Sequence, residues 1–156
     1  MTAQHYEFVE GDEKVVAPGI VVRRIRALVA IPALLWAPAV QPGELGGYVA
    51  ASKNLVSGDA WVYGNALVYG DAQVYGNARV TEECSRTPIL ISGLRYAITI
   101  TDDHLRAGCQ CHLISRWSTF TTAEIAAMDG KDALRFHPQL LALLAAARPN
   151  TDEVAA

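Results

Sequence analysis

Residues 104–112 read HLRAGCQCH, two histidines and two cysteines within a short run. Thiolate and imidazole are the ordinary ligands of zinc, so a tetrahedral site would be drawn from His104, Cys109, Cys111 and His112. Their spacing argues against it: metal knuckles separate their cysteines by two or more residues, and here only Gln110 lies between. On a strand Cys109 and Cys111 share a face, whereas Cys111 and His112 point to opposite ones. Nucleophilic catalysis is a second chemistry, with a cysteine, a histidine base and Asp102 or Asp103 to orient it. Buried structural cysteine is the commoner state of such residues. Anion binding is the third. In the run YAITIT, Tyr96, Ile98 and Ile100 alternate with Ala97, Thr99 and Thr101, so an extended chain gathers hydroxyls on one face. With Arg95, His104 and Arg106 nearby, these groups supply the donors that a phosphate or carboxylate needs. The expected site is therefore a ligand-binding one, Arg95, Thr99, Thr101, His104 and Arg106, with no catalytic residue, metal or cofactor assigned.

What must position such a site is announced by a repeat. Residues 56–85 contain five six-residue units, VSGDAW, VYGNAL, VYGDAQ, VYGNAR and VTEECS. This period is neither helical nor a plain strand alternation, and it reads as a parallel β-helix in which each hexad is a short strand plus a turn. Val56, Val62, Val68, Val74 and Val80 are β-branched residues suited to inward strand positions. Ala60, Ala66, Ala72, Ala78 and Cys84 fall where a tight interior has room only for small side chains. Gly58-Asp59, Gly64-Asn65, Gly70-Asp71 and Gly76-Asn77 form the corners, because these residue types tolerate positive φ and hydrogen-bond their own backbone. Tyr63, Tyr69 and Tyr75 then face outward.

A solenoid this short needs caps at both ends. Upstream, residues 20–31 form a β-like run carrying Arg23, Arg24 and Arg26, whose expected roles are a solvated face or ion pairs, with anion binding as the alternative; Pro32, Pro38 and Pro42 then prevent a continuous helix. Downstream come two β-rich runs, ILIS and YAITIT. Thr121 to Glu124 has the form of a capping box, and the helix it starts should run to about Met128 before Gly130 ends it. Residues 131–147 predict a second helical stretch in which Pro138 begins a new helix or kinks the old one, with Leu134, Leu140, Leu141 and Leu144 in the core. The organisation expected is a single domain over 1–148, divided into an N-terminal β-rich cap (1–49), the solenoid (50–86) and a β plus helical C-terminal cap (87–148), with a frayed tail at 149–156.

Composition sets outer limits. Apolar residues make up 51% of 156, which excludes general disorder. A net charge of −3 argues against a nucleic-acid binder driven by bulk charge. The apolar stretch at 27–40 is too short and too proline-interrupted to cross a bilayer, and the chain shows no signal-peptide pattern. Three cysteines, an odd number, fit a reducing cytoplasm.

In its valine and alanine positions the repeat resembles the hexapeptide-repeat proteins, which implies a mainly β fold, a short left-handed parallel β-helix with three hexads, eighteen residues, per coil. On that coil Val56 stacks under Val74, and Trp61 lies beside Arg79 on the outside. Many such proteins are trimeric acyltransferases with a histidine base and acyl-CoA, yet no histidine falls within this repeat. Over most of its length, through RRIRAL, PGELGGYV, NLVSGDAWVYGNA, ISGLRYAITITDDHLRAGCQCH and MDGKDALRF, the chain is similar to a family of small hexapeptide-repeat proteins of bacteriophages and prophages. That likeness implies a phage accessory protein of the infected host's cytoplasm. The expected function is non-catalytic binding that counters host defence, by sequestering a small anionic or nucleotide-like signal or by blocking a host protein complex. A hexapeptide-repeat acyltransferase is the alternative. The outward tyrosines and Trp61 predict a homo-oligomer, a trimer first.

Overall fold

In the computed structural model, residues 4–34, 37–76 and 78–148 are described. The tail expected at 149–156 lies outside them. The chain opens with a long antiparallel hairpin, β1 (Tyr6–Ala17) and β2 (Ile20–Ala27), which pairs onward with β3 (Leu45–Val49). The arginines of β2 meet acids of β1: Arg23 pairs with Glu13 at 3.5 Å, Arg24 with Asp12 at 2.7 Å and Arg26 with Glu7 at 3.7 Å. Arg24 also stacks on Tyr48, its guanidinium carbon 4.4 Å from the ring centre. These arginines are ion-paired, as one of the two readings of RRIRAL expected.

A short 3-10 turn (Ser52–Asn54) leads into the repeat, where β4 (Leu55–Gly58), β5 (Trp61–Val62), β6 (Leu67–Val68), β7 (Val74–Gly76) and β8 (Arg79–Val80) follow one another. Their pairing is parallel and one coil apart: β3 with β6, β4 with β7, and β5 with β8. Trp61 stands beside Arg79 and Val62 beside Val80, the eighteen-residue spacing. Val62, Val68, Val74 and Val80 are fully buried, and so are the alanines and Cys84. Gly64, Gly70 and Gly76 turn corners with φ of 59°, 66° and 63°, values open to glycine at little steric cost.

Two expectations fail here. Val56 is 38% exposed, and Leu55 takes the interior place next to Val74. The first coil enters from the 3-10 turn with an irregularity between Leu55 and Gly58, and on a strand a one-residue slip exchanges the two faces. Trp61 and Arg79, expected outside, are both 1% exposed. Flanking segments cover that side of the coils: His5 and Tyr6 of the N-terminal hairpin region pack with Trp61 in one apolar cluster, and Gly46 approaches its ring.

Beyond the coils a second sheet runs in the order β12 (Gln110–Leu113), β11 (His104–Ala107), β10 (Ile98–Ile100), β9 (Ile89–Ile91), all antiparallel. A short helix α1 (Ile114–Trp117) and a long helical stretch α2 (Thr122–Ala147) follow. The capping box is present: Glu124 N–H donates to Thr121 Oγ1 at 3.1 Å and Thr121 N–H to Glu124 Oε1 at 2.9 Å. The helix breaks at Asp129 and Gly130, the latter at φ 60°, where the glycine predicted it. It then continues through Pro138, with Phe136, Leu140 and Leu144 buried and Leu134 and Leu141 packed against them. The apolar core is thus in two parts, one inside the coils and hairpin, the other between α2 and the outer face of β10 and β11. Among the described residues no helix is long and apolar enough to cross a membrane.

Candidate functional site

Both faces of β10 are covered. Ile98 and Ile100 point into the helix-side core, and the opposite face presents Thr99 and Thr101, each nearly buried. The alternation in YAITIT therefore separates an apolar from a hydroxyl face, but the hydroxyl face looks at protein, not solvent. It meets the last coil. Thr81, Glu82 and Arg79 come from that coil, and Thr99, Thr101, His104, Arg106 and Cys111 from the second sheet, around a cavity of ≈10 Å³. Four of the five expected ligand residues, Thr99, Thr101, His104 and Arg106, are brought together in this seam. The register explains it: Thr99 pairs with Arg106 and Arg106 with Cys111, so all three fall on one face.

Arg95, the fifth, is elsewhere. It is exposed, holds Asp132 of α2 at 2.7 Å and lies over the Tyr96 ring at 5.6 Å. Its position on the other side of β10 follows from being four residues before Thr99 with the bend around residues 93–96 between them.

The seam is held by polar contacts. Asp102 accepts from Ser85 N–H at 2.9 Å and from Ser85 Oγ at 2.7 Å, and Arg106 donates to Thr81 Oγ1. Asp102 thus anchors the second sheet to the last coil and orients no histidine. His104 Nδ1 lies 2.7 Å from Asp103, and its Nε2 lies 3.8 Å from Glu82. Burial raises the Cys111 thiol, with the Arg106 guanidinium opposing the shift, so the thiolate that a nucleophile requires is disfavoured.

The four groups considered for metal do not converge. His104 and Cys111 face the seam, Cys109 is exposed beside the Gly108 turn, and His112 packs edge-on against Trp117 and Phe120 on the other face. Burial, with Arg116 and His104 nearby, holds the His112 imidazole below its ordinary range.

Arg79 is the residue that the sequence reading missed. Its Nη1 donates to Tyr63 Oη at 3.2 Å, but its Nε and Nη2 are buried without a hydrogen-bond partner. The available signal was position: the sixth hexad residues are Trp61, Leu67, Gln73, Arg79 and Ser85, and Arg79 alone among them is charged.

A larger cavity, ≈380 Å³, opens between β11, the Gly108 turn and α2. Trp117, Ile125, Met128, Phe136 and Leu140 make its walls, with Tyr96, Cys109, Gln110, Asp129 and His137 as its polar groups. His137 Nε2 is 2.7 Å from the Trp117 carbonyl; the Tyr96 hydroxyl donates to Asp129, and burial, with that bond second, raises the Tyr96 pKa. Ligand cavities of small molecules run to roughly 300–1,000 Å³ and combine apolar walls with a few placed polar groups. The seam has room for no more than a water-sized occupant, whereas the second cavity has room for a small organic ligand.

Comparison with known proteins reaches the coils alone. No curated protein and no solved structure matches the chain. Residues 60–74 and 72–86 each match the family model described as YdcK Beta solenoid repeat. Those residues contain the buried Val62, Val68, Val74 and Val80. The chain carries β-solenoid repeats, and it is on them that the seam is built.

Proposed function

We propose that this chain is a non-catalytic binding protein of phage type, acting in the cytoplasm of the infected host, that takes up a small nucleotide-like signal and so counters host defence. The observation that carries the binding reading is the ≈380 Å³ cavity, apolar and aromatic on its walls. Tyr96, Trp117 and Phe136 offer faces and edges to a planar ring. In this reading Arg95, outside the cavity and beside Tyr96, would exchange its Asp132 partner for an anionic group of a ligand whose ring is inside. We read the coils as the left-handed hexapeptide type, serving as a rigid base for the sheet that walls the cavity.

Thermal shift and mass spectrometry test this together. Incubation with mononucleotides is expected to raise the melting temperature and return the nucleotide unchanged. Ala133→Leu, which fills the cavity from α2, is expected to remove the shift. A nucleotide returned in altered form would convert the reading to an enzyme, and a panel with no stabilising member would reject the nucleotide-like ligand.

The trimer is retained as a proposal on narrower ground. Trp61 is buried, Tyr63 donates to the Pro38 carbonyl and Tyr69 to Glu83, leaving Tyr75 exposed beside Leu90. Light scattering at micromolar concentration is expected to give three times the 16.8 kDa chain mass, and the single-chain value would reject assembly.

A further inference from the structure

The donors in the walls of the ≈380 Å³ cavity are mostly spent inside the protein. Trp117 Nε1–H donates to the Leu105 carbonyl at 2.9 Å, and the Tyr96 hydroxyl donates to Asp129 Oδ2. His137 Nε2 faces the Trp117 carbonyl at 2.7 Å, which requires a hydrogen on that nitrogen. Cys109 adds only a weak donor, and Gln110, whose carbonyl oxygen faces His112 Nε2 at 3.0 Å, keeps its amide hydrogens. Asp129 is the one carboxylate of the lining, exposed and therefore at the mouth. A carboxylate has about four acceptor positions, of which Tyr96 fills one. Arg95 attracts Asp129 electrostatically, but its own direct partners are Asp132, at 2.7 Å, and Tyr96. The mouth thus suits a pair of N–H groups, beside Tyr96 and Phe136, which meet edge to face with ring centres 5.0 Å apart and suit a flat ring.

We propose that the ring this cavity takes is guanine, bound through its N1–H and 2-amino group to the two oxygens of Asp129. This deepens the nucleotide-like reading above and rests on it. Among the common bases guanine alone presents two adjacent N–H donors on its pairing edge. Adenine and cytosine set a ring-nitrogen acceptor beside their amino group, and uracil flanks its single N–H with two carbonyls. Each of these would turn a lone pair towards the carboxylate. The Gln110 amide remains as a donor for the guanine carbonyl. A purine also covers more aromatic wall than a pyrimidine does.

The test is titration calorimetry of the full chain with GMP, IMP, AMP, UMP and XMP. GMP is expected to bind at least about tenfold more tightly than IMP, which keeps every ring atom and lacks only the 2-amino group. AMP and UMP are expected to bind more weakly than GMP. Asp129→Asn keeps the side chain's shape and an acceptor for Tyr96. It should lose the preference for GMP over IMP and favour XMP, whose carbonyl in place of the amino group meets the new amide N–H. Should Asp129→Asn not fold, the comparison of GMP with IMP on the unaltered chain decides. Cys109 locates the ligand: saturating GMP is expected to slow its alkylation, read by mass spectrometry. Equal affinities for GMP and IMP, or tighter binding of AMP or UMP, would overturn the guanine assignment and leave the nucleotide-like reading standing. Binding that leaves Cys109 unprotected would put the nucleotide outside the cavity, and binding by none of the five would reject the reading and the inference together.

Discussion

Gly46 and Gly47 show how a motif that looks like a flexible turn acts through closeness. A Cβ on Gly46 would sit 2.6 Å from the Val62 carbonyl oxygen and 2.8 Å from the Trp61 ring; one on Gly47 would sit 2.6 Å from a Val62 methyl. Both glycines lie on β3, which pairs in parallel with β6 and antiparallel with β2, so the strand that joins the hairpin to the coils packs this closely only without side chains there. Gly46→Ala is expected to cost roughly 1–3 kcal/mol by overpacking, read as a lower urea midpoint. Cys84 supplies a second test at this scale. Burial pushes its thiol from 9.0 up to about 12, and burial likewise raises Tyr6 from 10.0 to about 12. Below pH 9 the Cys84 thiol is protonated whether the chain is folded or unfolded, and the full stability is present. As pH rises through 9 to 12 the unfolded chain loses the proton and the folded one keeps it, so stability falls by up to about 1.4 kcal/mol per pH unit for this group. Cys84→Ala should flatten that alkaline slope in denaturant titrations followed from pH 8 to 11, whatever it does to stability at pH 7.

At the scale of elements, α2 carries a local conflict. Pro138 lies within the helical stretch, exposed, where it has no N–H to donate to the preceding turn. The buried residues on either side, Phe136 and Leu140, hold the helix against the sheet in spite of it. Pro138→Ala should therefore stabilise the protein, by up to about 3 kcal/mol on the helix-interior scale, visible as a higher melting temperature by circular dichroism. The break at Asp129 and Gly130 is different, because Asp129 there meets the Tyr96 hydroxyl at the cavity edge. Straightening that break would move a cavity wall, whereas removing Pro138 changes only the exposed side of the helix.

For the molecule as a whole, the question is what couples two apolar clusters. Asp102 is the most heavily used tether, accepting from the Ser85 backbone and hydroxyl and, at 3.3 Å, from Arg86 N–H. Asp102→Ala would strand those donors, a loss of roughly 1–3 kcal/mol each where they are buried. Hydrogen exchange is expected to rise in β9 to β12 and at residues 80–86, and to change little in β1 and β2. Uniform loosening of the hairpin as well would mean that the two clusters unfold as one.

The coils were written in the sequence because a hexad is a local device: a β-branched residue, a glycine corner and a small residue recur at a spacing that only stacked turns satisfy. Val62, Val68, Val74 and Val80 and the helix boundaries at Thr121 and Gly130 follow from such short-range rules. The hydroxyl face of β10 was legible for the same reason. What that face looks at was not. Whether Thr99 and Thr101 meet water or protein, whether Trp61 and Arg79 lie outside or under a lid, and whether Arg95 joins Arg106 all depend on how the caps dock. Docking is decided by contacts between residues far apart in the chain, and the hexad is silent about them. The slip that put Leu55 inside in place of Val56 has the same origin, since the register of the first coil is set by the segment that enters it. The buried Arg79 is the sharpest instance: a charged residue in a repeat position leaves the surface only because flanking segments close over the coil.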